Sequence, residues 1–301
     1  DWQVSDSTLV NLNVYYQKDP DMGIYTTLPA AGLFQPNVNG KLDPDAFSGD
    51  ENWNTYEREV LMAGYKIQHD FNDNWQFLQN ARFQRGDAYQ RNTYGTTLDA
   101  DQRTYNRRAY LTDETSEGFT IDNQLSGLVQ TGAIEHNLLV GVDYLQFESD
   151  IGYEAAAAPS IDLYNPDHSQ INAGLLDFAA SGYSSDFTIE KRQTGVYLQD
   201  QMRIGQWVLI AGGRHDRYEA KEYGVKYGAA VDNDLKQSNT SWRAGALYLF
   251  DNGLAPFVSY AESFEPVAGS DRLGRTYEPS TAEQWEAGLK FNPDGGRTNG
   301  S

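Results

Sequence analysis

Histidine, carboxylate and glycine groupings are where chemistry would first show in this chain. The four histidines, His69, His136, His168 and His215, are dispersed, with no HExxH and no pair at metal-ligand spacing. His215-Asp216 has the composition of a hydrolase dyad, but no serine sits in a nucleophile-elbow context. Asp43/Asp45 and Asp99/Asp101 lack the carboxylate density and the glycine of a calcium loop, so they read as solvated loop charge. Gly212-Gly213 lies inside a β-rich run, where glycine permits a bend or a close approach rather than cradling phosphate. Cysteine is absent, which removes disulfides and thiolate-bound metals. The residues therefore predict no enzyme, no resident metal and no cofactor. Tyrosine is left as the abundant reactive side chain. Aromatics make up 13% of the residues and 20 of them are Tyr, in a chain of formal charge −20. That charge excludes nucleic acid as a partner, and so many rings exclude an acidic disordered chain.

The elements that must position these tyrosines follow a two-residue period. Trp285, Ala287, Leu289 and Phe291 alternate with Gln284, Glu286, Gly288 and Lys290, which gives a strand one apolar and one polar face. The same alternation runs through Thr8, Val10, Leu12, Val14 and Tyr16, then Leu61, Ala63, Tyr65 and Ile67. It continues through Trp75, Phe77, Ala81 and Phe83, a long strand from Thr104 to Gln130, and Leu138, Val140, Val142 and Tyr144. Further strands are predicted at residues 193–203, 207–218, 247–250 and 257–260, which makes about ten.

Short turns at Asn72-Asp73-Asn74, residues 131–135, Gly205 and Asp251-Asn252-Gly253 alternate with long polar connections. The long ones are expected at residues 19–54, 86–103, 149–188 and 222–238, and after Phe264 through Pro266, Gly269, Asp271, Gly274 and Pro279. No apolar run reaches the 18 residues of a membrane-spanning helix. Short turns on one side and long loops on the other, with alternating strands and many aromatics, predict an all-β, antiparallel, up-and-down transmembrane β-barrel segment. It would be an open sheet, because Asp1-Trp2-Gln3 and Asn299-Gly300-Ser301 read as cuts through a longer protein. A passive porin-like channel and a soluble β-rich binding module share the alternation and stay open at this point.

Several segments taken together resemble TonB-dependent siderophore receptors, most closely the ferrichrome-receptor type. They are Tyr16-Gln17-Lys18-Asp19-Pro20, Phe71-Asn72-Asp73-Asn74-Trp75, Gln79-Asn80, Thr194-Gly195-Val196-Tyr197-Leu198-Gln199-Asp200-Gln201, Gly212-Gly213-Arg214-His215-Asp216, Tyr248-Leu249-Phe250-Asp251-Asn252-Gly253 and Ser259-Tyr260-Ala261-Glu262-Ser263-Phe264-Glu265-Pro266. The resemblance covers nearly the whole chain. Such receptors carry an N-terminal plug inside a barrel of about 22 strands. The resemblance implies that residues 1–301 are the central part of that barrel, with the plug, the TonB-engaging segment and the closing strands lying elsewhere. It further implies the bacterial outer membrane, a ferric siderophore as ligand, TonB and the lipid bilayer as partners, and short turns on the periplasmic side.

In the ferrichrome-type family an aromatic pocket holds the siderophore. Gly23-Ile24-Tyr25-Thr26-Thr27-Leu28-Pro29 and Asn92-Thr93-Tyr94-Gly95-Thr96 match two contributors. The resemblance therefore makes Tyr25 and Tyr94 the expected substrate-binding residues, both in outer loops. Thr27 and Thr96 stand where the family has tryptophan and tyrosine, a departure that points away from ferrichrome itself. Packing tyrosines at the membrane rim are the alternative reading of both positions.

Overall fold

The computed structural model describes residues 1–24, 26–267, 272 and 277–292. Within them the chain is one antiparallel sheet of eleven strands in sequence order. They are β1 Trp2–Ser5, β2 Thr8–Asp19, β3 Thr55–Asn72, β4 Trp75–Leu98, β5 Thr104–Thr131, β6 Ile134–Asp162, β7 Ser184–Ile204, β8 Trp207–Lys226, β9 Ala229–Tyr248, β10 Leu254–Glu265 and β11 Ser280–Phe291. Among the described residues β1 and β11 each pair with a single neighbour, so the sheet is open.

The predicted sheet face is assembled by the pairing. Directly opposed residues in an antiparallel pair share a face. Val10, Ile67 and Gln79 are linked in that way, and Tyr65, Ala81, Ile121 and Tyr144 form the next such row. Val140 opposes Leu198, Leu198 opposes Gly213, and Gly213 opposes Trp242. Tyr260 opposes both Ala244 and Trp285, and Val258 opposes Ala287. One face is thus apolar from β2 to β11, while Gln76, Asn80, Arg82, Arg214, Asp216, Glu286 and Lys290 fall on the other. The apolar face is bare: Leu12 is 71% exposed, Leu198 55% and Trp285 72%. A soluble sandwich would cover these side chains with a second sheet. Here they face lipid, and the polar face forms the wall of the lumen.

Four expectations change. The strand count is eleven, because β1 precedes Thr8 and pairs through Trp2↔Val10; four residues carry too little periodicity to announce themselves. The loop expected at residues 86–103 is a strand as far as Leu98, and β6 runs through Ala155 and Ala158 to Asp162, leaving a connection of residues 163–183. The loop expected at residues 222–238 is a two-residue turn, with Tyr227 at φ 50° and Gly228 at φ 77°, the left-handed pair that matches strand twist. Beyond the bilayer both sheet faces meet water, so the strands continue without apolar alternation and resemble loops in sequence. Gly269, Asp271 and Gly274, expected in the last loop, lie outside the described residues.

Among the described residues, packed cores lie at the outward end of the sheet. Leu42, Tyr105, Ile161 and Leu163 form one, and Trp53, Ala109 and Ile171 another. Both are made where connecting segments close over the tips of β4, β5 and β6.

Candidate functional site

The segment between β2 and β3 straddles the sheet edge. On the lumenal side Gly95 N donates to Thr27 Oγ1 at 3.1 Å, and Ser48 Oγ donates to the Thr27 carbonyl at 2.8 Å. Over the β4–β5 turn, Asn37 Nδ2 donates to Gln102 O and Asn39 Nδ2 to Asp101 O, each at 2.8 Å. On the outward side, Arg107 is fully buried. Its Nη1 donates to Ser48 O at 2.9 Å and Gly49 O at 2.8 Å, and its Nε to Pro159 O at 2.9 Å. Asp50 lies 3.5 Å from Arg107 Nη2 and accepts the backbone N–H groups of Gln170 and Ile171 at 3.1 Å. Burial lowers the Arg107 pKa, and Asp50 opposes that shift. Trp53 Nε1 donates to Tyr110 O at 2.9 Å. One buried arginine, with Asp50, thus ties two connecting segments and the end of β6 to β5.

Inside this saddle a cavity of about 440 Å³ opens to the lumen. Ile24, Thr26 and Thr27 line it from the segment, Tyr56 from β3, Gln90 and Tyr94 from β4, and Tyr110 from β5. No charged side chain lines it among the described residues. Tyr94 is therefore on a strand rather than in a loop. Register places it on the lumenal face with Gln90, because β4 pairs without a shift from Arg82 to Gly95. Its ring lies 5.8 Å from that of Tyr110, which stacks in turn on Tyr153 at 6.2 Å. Gln90 Nε2 donates to Tyr110 Oη at 2.8 Å. Burial, then the hydrogen-bonded Tyr94 beside it, raises the Tyr153 phenol well above its ordinary range. The arrangement offers flat apolar rings and neutral hydroxyl and amide groups, which suits a bulky, hydrogen-bonding and largely uncharged guest.

Tyr25 lies outside the described residues; its neighbours Ile24 and Thr26 line the cavity. The sequence reading missed Tyr56, Gln90, Tyr110 and Tyr153. Their signal is present only once the β4–β5 register is known, because Tyr110 opposes Asn92 and Tyr153 opposes Thr112 across strands. Thr96, at a position where the resemblance carries tyrosine, donates to Asn106 O at 3.2 Å.

The other candidate groupings resolve into structure. His215 and Asp216 are adjacent on β8 and point to opposite faces: His215 contacts Thr240 Oγ1 at 2.9 Å, whereas Asp216 accepts from Arg214 and Gln193. Asp101 accepts from Arg103 N and from the N–H and hydroxyl of Thr104, and those bonds, the Thr104 hydroxyl first, lower its pKa. Asp43 closes its own turn by accepting from Asp45 N. Gly213 lies beneath the Trp242 ring, where a Cβ would sit 2.6 Å from ring carbon. Among the described residues no group of three His, Asp or Glu could hold a metal ion. Lower in the lumen, Arg214 bridges Asp143 and Asp216, and Tyr197 Oη donates to Asp122 at 2.7 Å.

A family described as TonB dependent receptor-like, beta-barrel, matches residues 1–301. The chain is 35% identical over 300 residues to the ferrioxamine B receptor of Salmonella typhimurium strain SL1344, covering 99% of this chain and 41% of that protein. It is 35% identical over 314 residues to the ferrichrome outer membrane transporter/phage receptor of Escherichia coli K12, covering 97% of this chain and 42% of that protein. The chain thus spans about two-fifths of the length of these relatives. Among solved structures, the ferripyoverdine receptor of the Pseudomonas aeruginosa outer membrane superposes with a TM-score of 0.76 at 16% identity, covering 99% of this chain and 39% of that one. The ferric-catecholate import receptor Fiu of E. coli K12 gives 0.73 at 22% identity, covering 95% and 47%. The latter two establish the fold.

Proposed function

The chain belongs to the TonB dependent receptor-like β-barrel family of the bacterial outer membrane, and from that premise we propose that it forms the barrel wall of a receptor importing a ferric siderophore. The observation that carries the reading is the uncharged, tyrosine-lined cavity at the outward end of the lumenal wall. Its size and neutral hydrogen-bonding groups suit a hydroxamate chelate, the class suggested by relatives named for ferrioxamine and ferrichrome. Tyr94 supplies one ring, with Tyr110 behind it, and the resemblance adds Tyr25 as a further binding residue. Fe³⁺ is cargo held by the chelate. The protein needs no resident metal or cofactor and performs no covalent chemistry. Entry to the periplasm is energised through TonB, which the complete receptor engages outside this barrel segment.

Binding of ferric trihydroxamates to the complete receptor in detergent, followed by tyrosine and tryptophan fluorescence quenching, tests the proposal. Tyr94→Ala should weaken binding by about 1–3 kcal/mol, the range of an aromatic anchor, with the barrel intact. Unchanged affinity for the tightest ligand would remove the cavity from the mechanism. Because Thr27 and Thr96 replace aromatic residues, ferrichrome should not be the tightest of the panel.

A further inference from the structure

Arg108 is the cation beside this cavity. It opposes Tyr94 across the β4–β5 pair and Ala157 across β5–β6, so all three share the lumenal face. Its guanidinium lies 4.9 Å from the Tyr183 ring centroid, and Tyr183 meets Tyr227 edge-on at 5.9 Å. Arg108 is half-buried and Ala157 beside it is exposed. Most arginines of the outward half are matched by carboxylates: Arg58 by Asp19, Arg85 by Asp87 and Glu117, Arg103 by Asp162, Arg107 by Asp50, and Arg217 by Glu219. Arg108 has no carboxylate at ion-pair distance among the described residues.

The separation of charge between the two faces makes that meaningful. Register sends Glu57, Asp113, Glu117, Glu148, Asp150 and Asp186 to the outward face of the strand extensions. These six carboxylates of the strand extensions are thereby turned away from the lumen. On the lumenal face of β5 the next acid is Glu114, six residues from Arg108, which is roughly 20 Å along a strand. Glu114 lies in one row with Ala88 and the Asp19-paired Arg58. At that distance, in water at physiological salt, its field is screened. Among the described residues, the charge beside the cavity that lacks a carboxylate partner is therefore positive.

We propose that Arg108 reads the periphery of the bound chelate, and that the receptor selects ferric hydroxamates bearing a peripheral carboxylate over those bearing a protonated amine. The inference rests on the siderophore reading of the Tyr94 cavity and deepens it to a charge class. A guanidinium pairs with a carboxylate through two parallel N–H···O bonds, a geometry an ammonium group cannot share. Stacking on Tyr183 holds the planar fork in place without neutralising it.

The test uses three ferric complexes of one linear trihydroxamate, its terminus left as the ammonium, N-acetylated, or N-succinylated to a carboxylate. Each is titrated into the complete receptor and into Arg108→Gln and Arg108→Lys. In the wild type the carboxylate form should bind about tenfold tighter than the ammonium form, the scale of one partly exposed charge-assisted contact. Arg108→Gln should abolish that order while leaving the acetylated chelate unchanged, and Arg108→Lys should restore part of it. An ammonium form that binds tightest, or the same order in Arg108→Gln, overturns the role of Arg108. Wild-type binding of the acetylated chelate would then still uphold the siderophore reading. Binding of none of the three overturns both.

Discussion

Arg107 offers the sharpest test of how the outward end is held together. It is fully buried, donates to the carbonyls of Ser48, Gly49 and Pro159, and faces Asp50, which in turn holds Gln170 and Ile171. Arg107→Met keeps the length and apolar stem of the side chain and removes the charge and the donors. Three carbonyls and one carboxylate then lose their partner in a site closed to water. Breaking a buried ion pair from one side costs about 3–5 kcal/mol, and the three lost donations fall within the same figure rather than adding to it. The sheet itself is untouched, because β5 remains paired along both edges. The cost must therefore appear as local opening of residues 48–53 and 167–171. Hydrogen exchange on the complete receptor in detergent reads this directly. Protection of those amides should fall by at least about a hundredfold, the equivalent of some 3 kcal/mol, while β5 and β6 amides keep theirs. Unchanged protection at Gln170 and Ile171 would refute the role of Arg107 as the tie between these segments. Asp50→Asn should show a milder loss, since an amide oxygen still accepts from the two backbone groups.

Three further outcomes follow from the faces of the sheet and from its titrating groups. Ala287→Arg places a guanidinium in the lipid-facing band beside Val258 and should destabilise the receptor by about 2–4 kcal/mol if near the bilayer midplane; Glu286→Arg, on the lumenal face, should be tolerated, and equal loss of heat-resistant barrel on gels would contradict the face assignment. Residues 1–301 expressed alone should require detergent, because a bare apolar face and two open edges invite association; a monodisperse monomer in plain buffer would oppose the membrane reading. The Tyr153 phenol is held protonated above the ordinary tyrosine value of 10.0, so its contribution to stability is complete below that pH and is lost as pH climbs through the raised value; Tyr153→Phe should flatten the alkaline limb of the thermal stability profile, and an unaltered limb would assign it elsewhere.

Much of the architecture was legible because the membrane imposes a repeating demand. Each crossing strand must keep its apolar parity, so Val140 and Val142, or Ala287 and Leu289, declare their face without any partner being known. The periplasmic turns were equally readable at Asn72-Asp73-Asn74 and Gly205, where tight geometry restricts residue choice. Outside the bilayer that demand stops. β4 beyond Gly86, β6 beyond Ser149 and the β8–β9 extension keep their backbone pairing, but no bilayer holds their side chains to an apolar alternation. For that reason Tyr94 was readable as a chemically interesting tyrosine but not as a strand residue.

By itself the sequence determined an all-β barrel segment, the lipid-facing parity and, through resemblance, the siderophore-receptor class with Tyr25 and Tyr94 as candidate residues. Tertiary structure alone decided what stands beside Tyr94. Gln90, Tyr110, Tyr153 and Arg108 come together through the β4–β5–β6 register, which depends on turn lengths and bulges such as that between Gly95 and Thr97. It also decided that the segment after β2 folds over the strand tips and buries Arg107 with Asp50, residues 57 positions apart in the chain. Alternation is a local property that each strand carries in its own residues. Register, and the contacts it creates across strands, is a property of pairs, and no single strand encodes it.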